Sequence, residues 1–178
     1  TNHGTPISIS FQGKEREEQL AAINALLMHC NGVLHATTAF GKTVTAVAII
    51  ARKKVSTLIL VHSKALLAQW HERLTEFLNI DYVEPPVPNK RGRCKKFSAI
   101  GCLDSTGNSL HGIVDVALIQ SCLDGDSVKP FVENYGMVIV DECHHVSSIT
   151  FENVLKGVKA HTVYGLTATP IRKDGHQP

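Results

Sequence analysis

The sequence predicts an α/β domain of three layers with a mainly parallel central sheet, and three observations carry that expectation. Short apolar runs rich in β-branched residues alternate with segments of helical period along the chain. Those runs are continuous rather than alternating, as in strands covered on both faces. Several of them end on residues able to do chemistry, and ligands of such sheets bind beyond the carboxyl ends of the strands.

Taken in order, Ile7 to Phe11 is a short strand or an extended entry. Arg16 to Leu27 places Leu20, Ile23 and Leu27 at helical spacing with acids in the first turn, and Asn31-Gly32 ends that helix. Val33 to Ala36 is the first core strand, and an apolar helix follows to about Lys53. "STLILV", Ser56 to Val61, is a buried strand. Ser63 is placed to cap a helix whose Leu67, Trp70, Leu74 and Phe77 share a face, the pattern of core packing. Val114 to Ile119, Met137 to Asp141 and Thr162 to Thr167 are further strands. Ser127 to Asn134, with Pro130 near its start, and Phe151 to Val158 are short helices.

Asp81 to Gly112 breaks the pattern. "EPPVPNKRGRCKK" makes residues 84–96 a basic, proline-containing loop or insertion, with Lys90, Arg91, Arg93, Lys95 and Lys96 against Glu84. Two roles stay open for it, a solvated loop and a contact to a phosphate backbone. Ser98 to Gly101 is a candidate strand beyond it, and "DSTGNS" a turn.

Bulk properties narrow the class. A length of 178 residues, 43% of them hydrophobic, suits one domain with its own core. The net charge of +2, from 18 basic and 16 acidic residues, does not by itself imply nucleic-acid binding. No apolar run reaches membrane-spanning length and no secretory leader is visible. The five cysteines are odd in number and form no C-x-x-C pair, so free thiols in a reducing, cytoplasmic compartment are expected. The first residue is Thr1, which suggests a piece of a longer protein.

The chemistry concentrates between Val33 and Ala51. "ATTAFGKT", Ala36 to Thr43, fits the phosphate loop G-x-x-x-x-G-K-[ST] with alanine in the first glycine position. Backbone N–H groups at such a helix start converge where the helix dipole favours negative charge. Thr37, Thr38, Ala39, Phe40, Gly41, Lys42 and Thr43 are the candidate nucleotide-binding residues. Lys42 supplies a point charge for the β- and γ-phosphates, and the Thr43 hydroxyl suits Mg2+. Asp141 ends an apolar strand, where a carboxylate can hold Mg2+ through water, and Glu142 is placed to activate an attacking water. Lys42, Asp141 and Glu142 are the candidate catalytic residues, with Thr43 and Asp141 the candidate metal ligands. Cys143, His144 and His145 have no second Cys/His cluster at zinc-site spacing, so the run is not taken as a zinc site.

In this order, the phosphate loop, "DECHH" and "TATP" resemble the first RecA-like domain of superfamily two helicases. The closer resemblance is to the DEAH-like group that includes type III restriction-enzyme motor subunits and related DNA helicases and translocases. It covers nearly the whole chain. Arg16-x-x-Gln19 resembles the group's adenine-reading element, "VHSKALLAQW" its motif Ia, "VALIQS" its motif Ic and "GLTATPIRKDG" its motif III with the segment after it. Ala39 and Phe40 depart from the usual glycine and small residue of the loop, and Glu15 stands where an apolar residue is common.

The resemblance implies a RecA-like P-loop NTPase fold, with Gln19 and Arg16 on the adenine, and ATP and Mg2+ as ligands. It implies that His144, Thr167 and Thr169 couple hydrolysis to movement. It places His62, Ser63, Lys64, Gln120 and Ser121 along a nucleic-acid track, DNA ahead of RNA. A second RecA-like domain with an arginine finger is expected outside this chain. The function expected is the ATP-binding motor domain of a DNA helicase or translocase, a nucleic-acid-dependent ATPase nearly inactive as an isolated piece. A nucleotide-binding switch or scaffold without turnover is the alternative, as is an RNA helicase domain. Glu142 favours the motor, because a pure switch has no use for a water-activating carboxylate. A P-loop kinase has no use for "DECHH" or "TATP".

Overall fold

The computed structural model describes residues 2–13, 17–36, 38–80, 100–105, 107–125 and 127–168. The basic loop at 84–96 and residues Arg16, Thr37 and Thr169 lie outside these.

The chain enters through strand β1 (Ile9–Phe11), helix α1 (Glu17–Leu27) and strand β2 (Asn31–Ala36), then helix α2 (Ala39–Lys53) and strand β3 (Thr57–Val61). Helix α3 (Lys64–Phe77) runs straight into β4 (Leu78–Ile80), which pairs antiparallel with β1. Strands β5 (Ile100–Asp104), β6 (Gly107–Asn108) and β7 (Val114–Leu118) follow, then the small hairpin of β8 (Leu123–Asp124) and β9 (Ser127–Val128). Strand β10 (Met137–Val140), helix α4 (Ser148–Gly157) and strand β11 (Thr162–Ala168) complete the described fold. The central sheet has the order β2-β11-β10-β3-β7-β5-β6 and is parallel except where β6 turns back on β5.

Period-two alternation sorts the strands' side chains into two cores. Ile59 and Val61 of β3, Met137 and Ile139 of β10 and Val116 of β7 face the layer of α1, α2 and α3. Leu58, Leu60, Val138 and Val140 face the other way, onto Val154 of α4 and Val132 and Tyr135 near a 3-10 turn. Every residue of β3, β7 and β10 is buried, as continuous apolar runs predict.

Several expectations from sequence shift. Asn31-Gly32 does not end a helix; it opens β2, paired with Val163 and Tyr164. The α1 terminus is satisfied instead by the buried Tyr164 hydroxyl, 2.8 Å from the carbonyls of both Leu26 and His29. Of the strand expected at Ser98 to Gly101, Ser98 and Ala99 lie outside the described residues; the described strand spans Ile100–Asp104, where Cys102 and Leu103 continue the pairing with β7. The helix expected from Ser127 is a 3-10 turn over Pro130–Asn134, because Ser127 and Val128 are held in the hairpin with β8. Ser63 caps α3 as expected, accepting the Leu66 N–H at 3.2 Å.

The topology fixes where the site must lie. Strands β2 and β3 are consecutive along the main sheet's path, yet β11 and β10 stand between them. Helix α2, which joins them, must therefore cross those two strands. Its first turn starts at the carboxyl edge of the sheet, where β10 and β11 also end.

At the opposite end of β7, the fully buried Asp115 accepts the N–H groups of His111 and Gly112 at 3.0 and 2.8 Å and the Tyr135 hydroxyl at 2.5 Å. Burial, then the Asp115 charge, raises the Tyr135 pKa well above the ordinary value, so the phenol stays a donor. Gly101 is obligatory beside it, since a β-carbon there would stand 2.1 Å from Asp115 Oδ1. Asp115→Ala is expected to cost about 2–4 kcal/mol: the buried Tyr135 hydroxyl left unpaired accounts for about 1–3 kcal/mol, and the His111 and Gly112 N–H groups, which solvent can reach, add less. Tyr135→Phe removes one donor only and should cost distinctly less. Urea midpoints of the two variants check this ranking.

Candidate nucleotide site

The phosphate-loop helix begins at Ala39 with Thr38 as its cap. The Thr38 hydroxyl accepts the Gly41 N–H at 3.0 Å, and its carbonyl accepts the Lys42 N–H at 3.1 Å. A methyl group at Gly41 would meet the Thr38 hydroxyl at 3.0 Å, so the loop is tight there. The Gly41 carbonyl accepts the Thr45 hydroxyl one turn on at 2.7 Å. The Gln19 amide comes within 3.5 Å of the same carbonyl, which brings α1 to the loop. Thr43 is half-buried on the first turn.

Lys42 is 1% exposed, and what stabilises a buried ammonium is visible. Its Nζ lies 2.8 Å from Asp141 Oδ1 and donates a short hydrogen bond to Glu142 Oε1. Burial alone would lower the Lys42 pKa. Hydrogen bonds and charge from Asp141 and Glu142 outweigh it, so the pKa is raised and Lys42 is charged at neutral pH. Asp141 is 1% exposed and follows directly on β10. Its second oxygen, Oδ2, accepts the indole N–H of Trp70 at 2.7 Å. Its first also accepts the Glu142 backbone N–H at 2.8 Å.

Glu142 sits in left-handed conformation, φ 49° and ψ 47°. That costs a non-glycine residue about 1–2 kcal/mol. It bends the chain sharply after β10, and the Glu142 carboxylate meets the Lys42 ammonium. The other Glu142 oxygen, Oε2, lies 3.3 Å from His144 Nε2. His144 Nδ1 is 2.7 Å from the hydroxyl of Thr167, near the end of β11. The Cys143 side chain points instead toward Gly165, where an added β-carbon would meet Sγ at 3.1 Å. Burial raises the Cys143 thiol pKa, so the thiol is protonated at neutral pH.

The structure thus brings together Gln19, Thr38, Gly41, Lys42, Asp141, Glu142, His144 and Thr167 from distant positions. His62 follows β3 and lies beside the site, its ring 5.1 Å from that of His145. Ser63 is engaged as a helix cap, Lys64 is exposed, and Gln120 and Ser121 stand on the 3-10 turn after β7. Trp70 is the site residue that sequence reasoning placed only in the core. Its apolar ring is buried as expected, while its one polar atom reaches the site; the sequence signal was a residue with an N–H donor in a stripe of Leu67, Leu74 and Phe77 that has no other side-chain polar atom. Among the described residues no helix is long and apolar enough to cross a membrane, and the four described cysteines are free.

Comparison with known proteins agrees with this geometry. A putative helicase, 109L of Invertebrate iridescent virus 3, is 32% identical over 170 residues, covering 93% of this chain and 48% of its own length. The DNA 3'-5' translocase XPB2 of Sulfurisphaera tokodaii is 30% identical over 160 residues, covering 90% of this chain and 32% of its own. This chain therefore spans half or less of these relatives. The UvsW helicase of bacteriophage T4 has the same fold, with a TM-score of 0.65 at 18% identity over 91% of this chain and 55% of that one. The family model for the type III restriction enzyme res subunit matches residues 12–172, and the chain belongs to that family.

Proposed function

We propose that this chain is the first RecA-like, ATP-binding motor domain of a DNA helicase or translocase, working with a second RecA-like domain beyond it. The observation that carries the proposal is the buried cluster of Lys42, Asp141 and Glu142, assembled from a helix start and a strand end at the carboxyl edge of a parallel sheet. The kinship with a DNA translocase favours DNA.

Each residue has a task its surroundings suit. Lys42 binds and neutralises the β- and γ-phosphates. Gln19, beside the loop, is placed to meet the base, with Arg16 in the same segment. Thr38 shapes the loop by holding the Gly41 N–H. Glu142 orients and deprotonates the attacking water, with Lys42 steadying one of its oxygens and His144 the other. His144 and Thr167 join that carboxylate to the end of β11, a path by which hydrolysis reaches the following segment and Thr169. His62 and Ser63 follow β3, Lys64 opens α3, and Gln120 and Ser121 stand on the 3-10 turn after β7, where they can follow a nucleic-acid backbone.

The donor set fits magnesium. Asp141 and Thr43 offer hard oxygen atoms, and Asp141 is fixed by the Trp70 indole and the Glu142 N–H. When bound there, Mg2+ would supply charge neutralisation on the phosphates. Trp70 acts through Asp141 and is a positioning residue.

Three substitutions test the assignment in the protein that carries both motor domains. Lys42→Ala is expected to abolish DNA-stimulated ATP turnover and to weaken nucleotide binding strongly; wild-type turnover in that variant would overturn the site. Glu142→Gln should retain nucleotide binding while turnover falls by about 10² to 10⁴, the usual worth of a general base. Equal loss of binding in the two variants would contradict the division of roles. Trp70→Phe keeps an aromatic side chain, though a smaller one, and removes the N–H, and should raise the Mg2+ concentration for half-maximal ATPase by about tenfold or more. A purely structural tryptophan would lower stability and leave the Mg2+ titration unmoved. Parallel RNA and DNA titrations of the wild-type ATPase decide the nucleic-acid class.

A further inference from the structure

The turn after β10 carries donors of a second chemical kind. Glu142 Oε1 is committed to Lys42, while Oε2 turns toward His144 Nε2 at 3.3 Å. The His145 ring is 4.2 Å from the His144 ring. One donor atom from each of Glu142, His144 and His145 falls within 4.8 Å of the other two. The His62 ring stands 5.1 Å from that of His145, and its buried Nδ1 has no hydrogen-bond partner among the described residues.

We propose that Glu142, His144 and His145 form a binding site for zinc, separate from the magnesium ligands Thr43 and Asp141. Two imidazoles and one carboxylate are a ligand set that suits zinc and disfavours magnesium, which takes oxygen donors. One edge of the ligand set already has the required length, and the remaining ligand atoms, within 4.8 Å of one another, need only close in on the ion. With zinc–ligand bonds of about 2.0–2.1 Å, neighbouring ligands of a tetrahedron stand roughly 3.3–3.4 Å apart. The Glu142–His144 edge is 3.3 Å already. His144 is oriented as metal-bound histidines are, with its other ring nitrogen held by an oxygen, here the Thr167 hydroxyl at 2.7 Å. Three protein ligands leave a fourth position for water. The histidines stand exposed at the surface, so the ion has an entry path. Spacing along the chain hides this site, because all three ligands come from one turn rather than from two separated clusters. Cys143 lies in the same turn, but its thiol faces Gly165 and is no ligand.

The consequence for activity rests on the ATPase reading. A Glu142 carboxylate coordinated through Oε2 is withdrawn from water activation, so zinc acts as an inhibitor that leaves the lysine–aspartate contact in place.

The test separates binding from inhibition. Zinc is titrated into the reduced chain, in competition with a chromogenic chelator, and cobalt(II) is titrated in parallel for its absorption spectrum. The wild type is expected to bind one equivalent at this site, with tetrahedral cobalt bands and no thiolate charge-transfer band. His144→Ala and His145→Ala should each weaken zinc by about tenfold or more, with circular dichroism confirming the fold. His145→Asn serves if the alanine variant misfolds. Cys143→Ser and Cys30→Ser should leave affinity unchanged. Unchanged affinity in both histidine variants, or a thiolate band from cobalt, overturns the site and leaves Glu142 and His144 as a hydrogen-bonded pair only. ATPase is then measured in the protein carrying both motor domains. Zinc should inhibit the wild type, and His145→Ala should shift that inhibition to about tenfold higher zinc or beyond. Binding without inhibition overturns the regulatory half alone. An absence of ATPase in zinc-free wild type supplied with Mg2+ and DNA counts against the motor reading, and the chelator titration still reports on the site.

Discussion

A buried ammonium held between two adjacent carboxylates is the constraint on which the rest of this structure depends. Lys42 comes from the first turn of α2, and Asp141 and Glu142 come from the end of β10, a hundred residues later. Neither side is stable alone at such burial. Removing one partner of a buried ion pair costs about 3–5 kcal/mol, most of it the charge left behind. The two elements must therefore be held in register by the sheet. The strand order does this: by placing β11 and β10 between β2 and β3, it obliges α2 to start over the strand end that carries the acids. The apolar cores beneath fix that crossing, with Val47 and Ile50 of α2 and Ile139 of β10 in one cluster.

Around this cluster the chain accepts local cost for position. Glu142 occupies a left-handed conformation that most glutamates avoid. A glycine would relax the turn and lose the carboxylate. The cost is offset by the contacts the turn makes possible: the Glu142 N–H on Asp141, the carboxylate on Lys42, and the second oxygen on His144. Trp70 shows the same economy. Its ring fills the core between α3 and the sheet, and its single donor satisfies the one Asp141 oxygen that Lys42 leaves open.

Much of this was legible in the sequence, for physical reasons that differ by residue. Strands β3 and β10 announced themselves because burial on both faces leaves their runs almost wholly apolar, and β7 did so despite the buried Asp115 near its start. The loop and Asp141 were legible because phosphate and metal chemistry constrains residue type at fixed offsets from a strand end. Asn31-Gly32 misled because turn residues also tolerate an edge strand, and β2 is the edge of the sheet. The hairpin of β8 and β9 was hidden because two-residue strands carry no periodicity. Trp70 was seen as core and its polar atom overlooked, because nothing in the order of residues 63–77 states that Asp141 lies above it. The partners of Glu142 were hidden in the same way: a one-dimensional motif names the acid and says nothing of how its two oxygens are shared.

That sharing explains why the histidines of this turn belong to the site rather than merely following it. A carboxylate pulled only by Lys42 would be free to rotate about its last bond. With His144 on the opposite oxygen, and Thr167 on the far nitrogen of His144, the plane of the carboxylate is fixed from both sides. The contacts run unbroken from the start of α2, across the end of β10, to the end of β11. Strand β11 pairs with β2 through Thr167 opposite His35 and Ala168 opposite Ala36, the residues that lead into the phosphate loop. The path therefore closes on itself: the loop that supplies Lys42 is paired to the strand that supplies Thr167. A displacement of either strand end moves both holders of Glu142 together, so the acid stays aligned with the lysine only while β2, β10 and β11 keep their register.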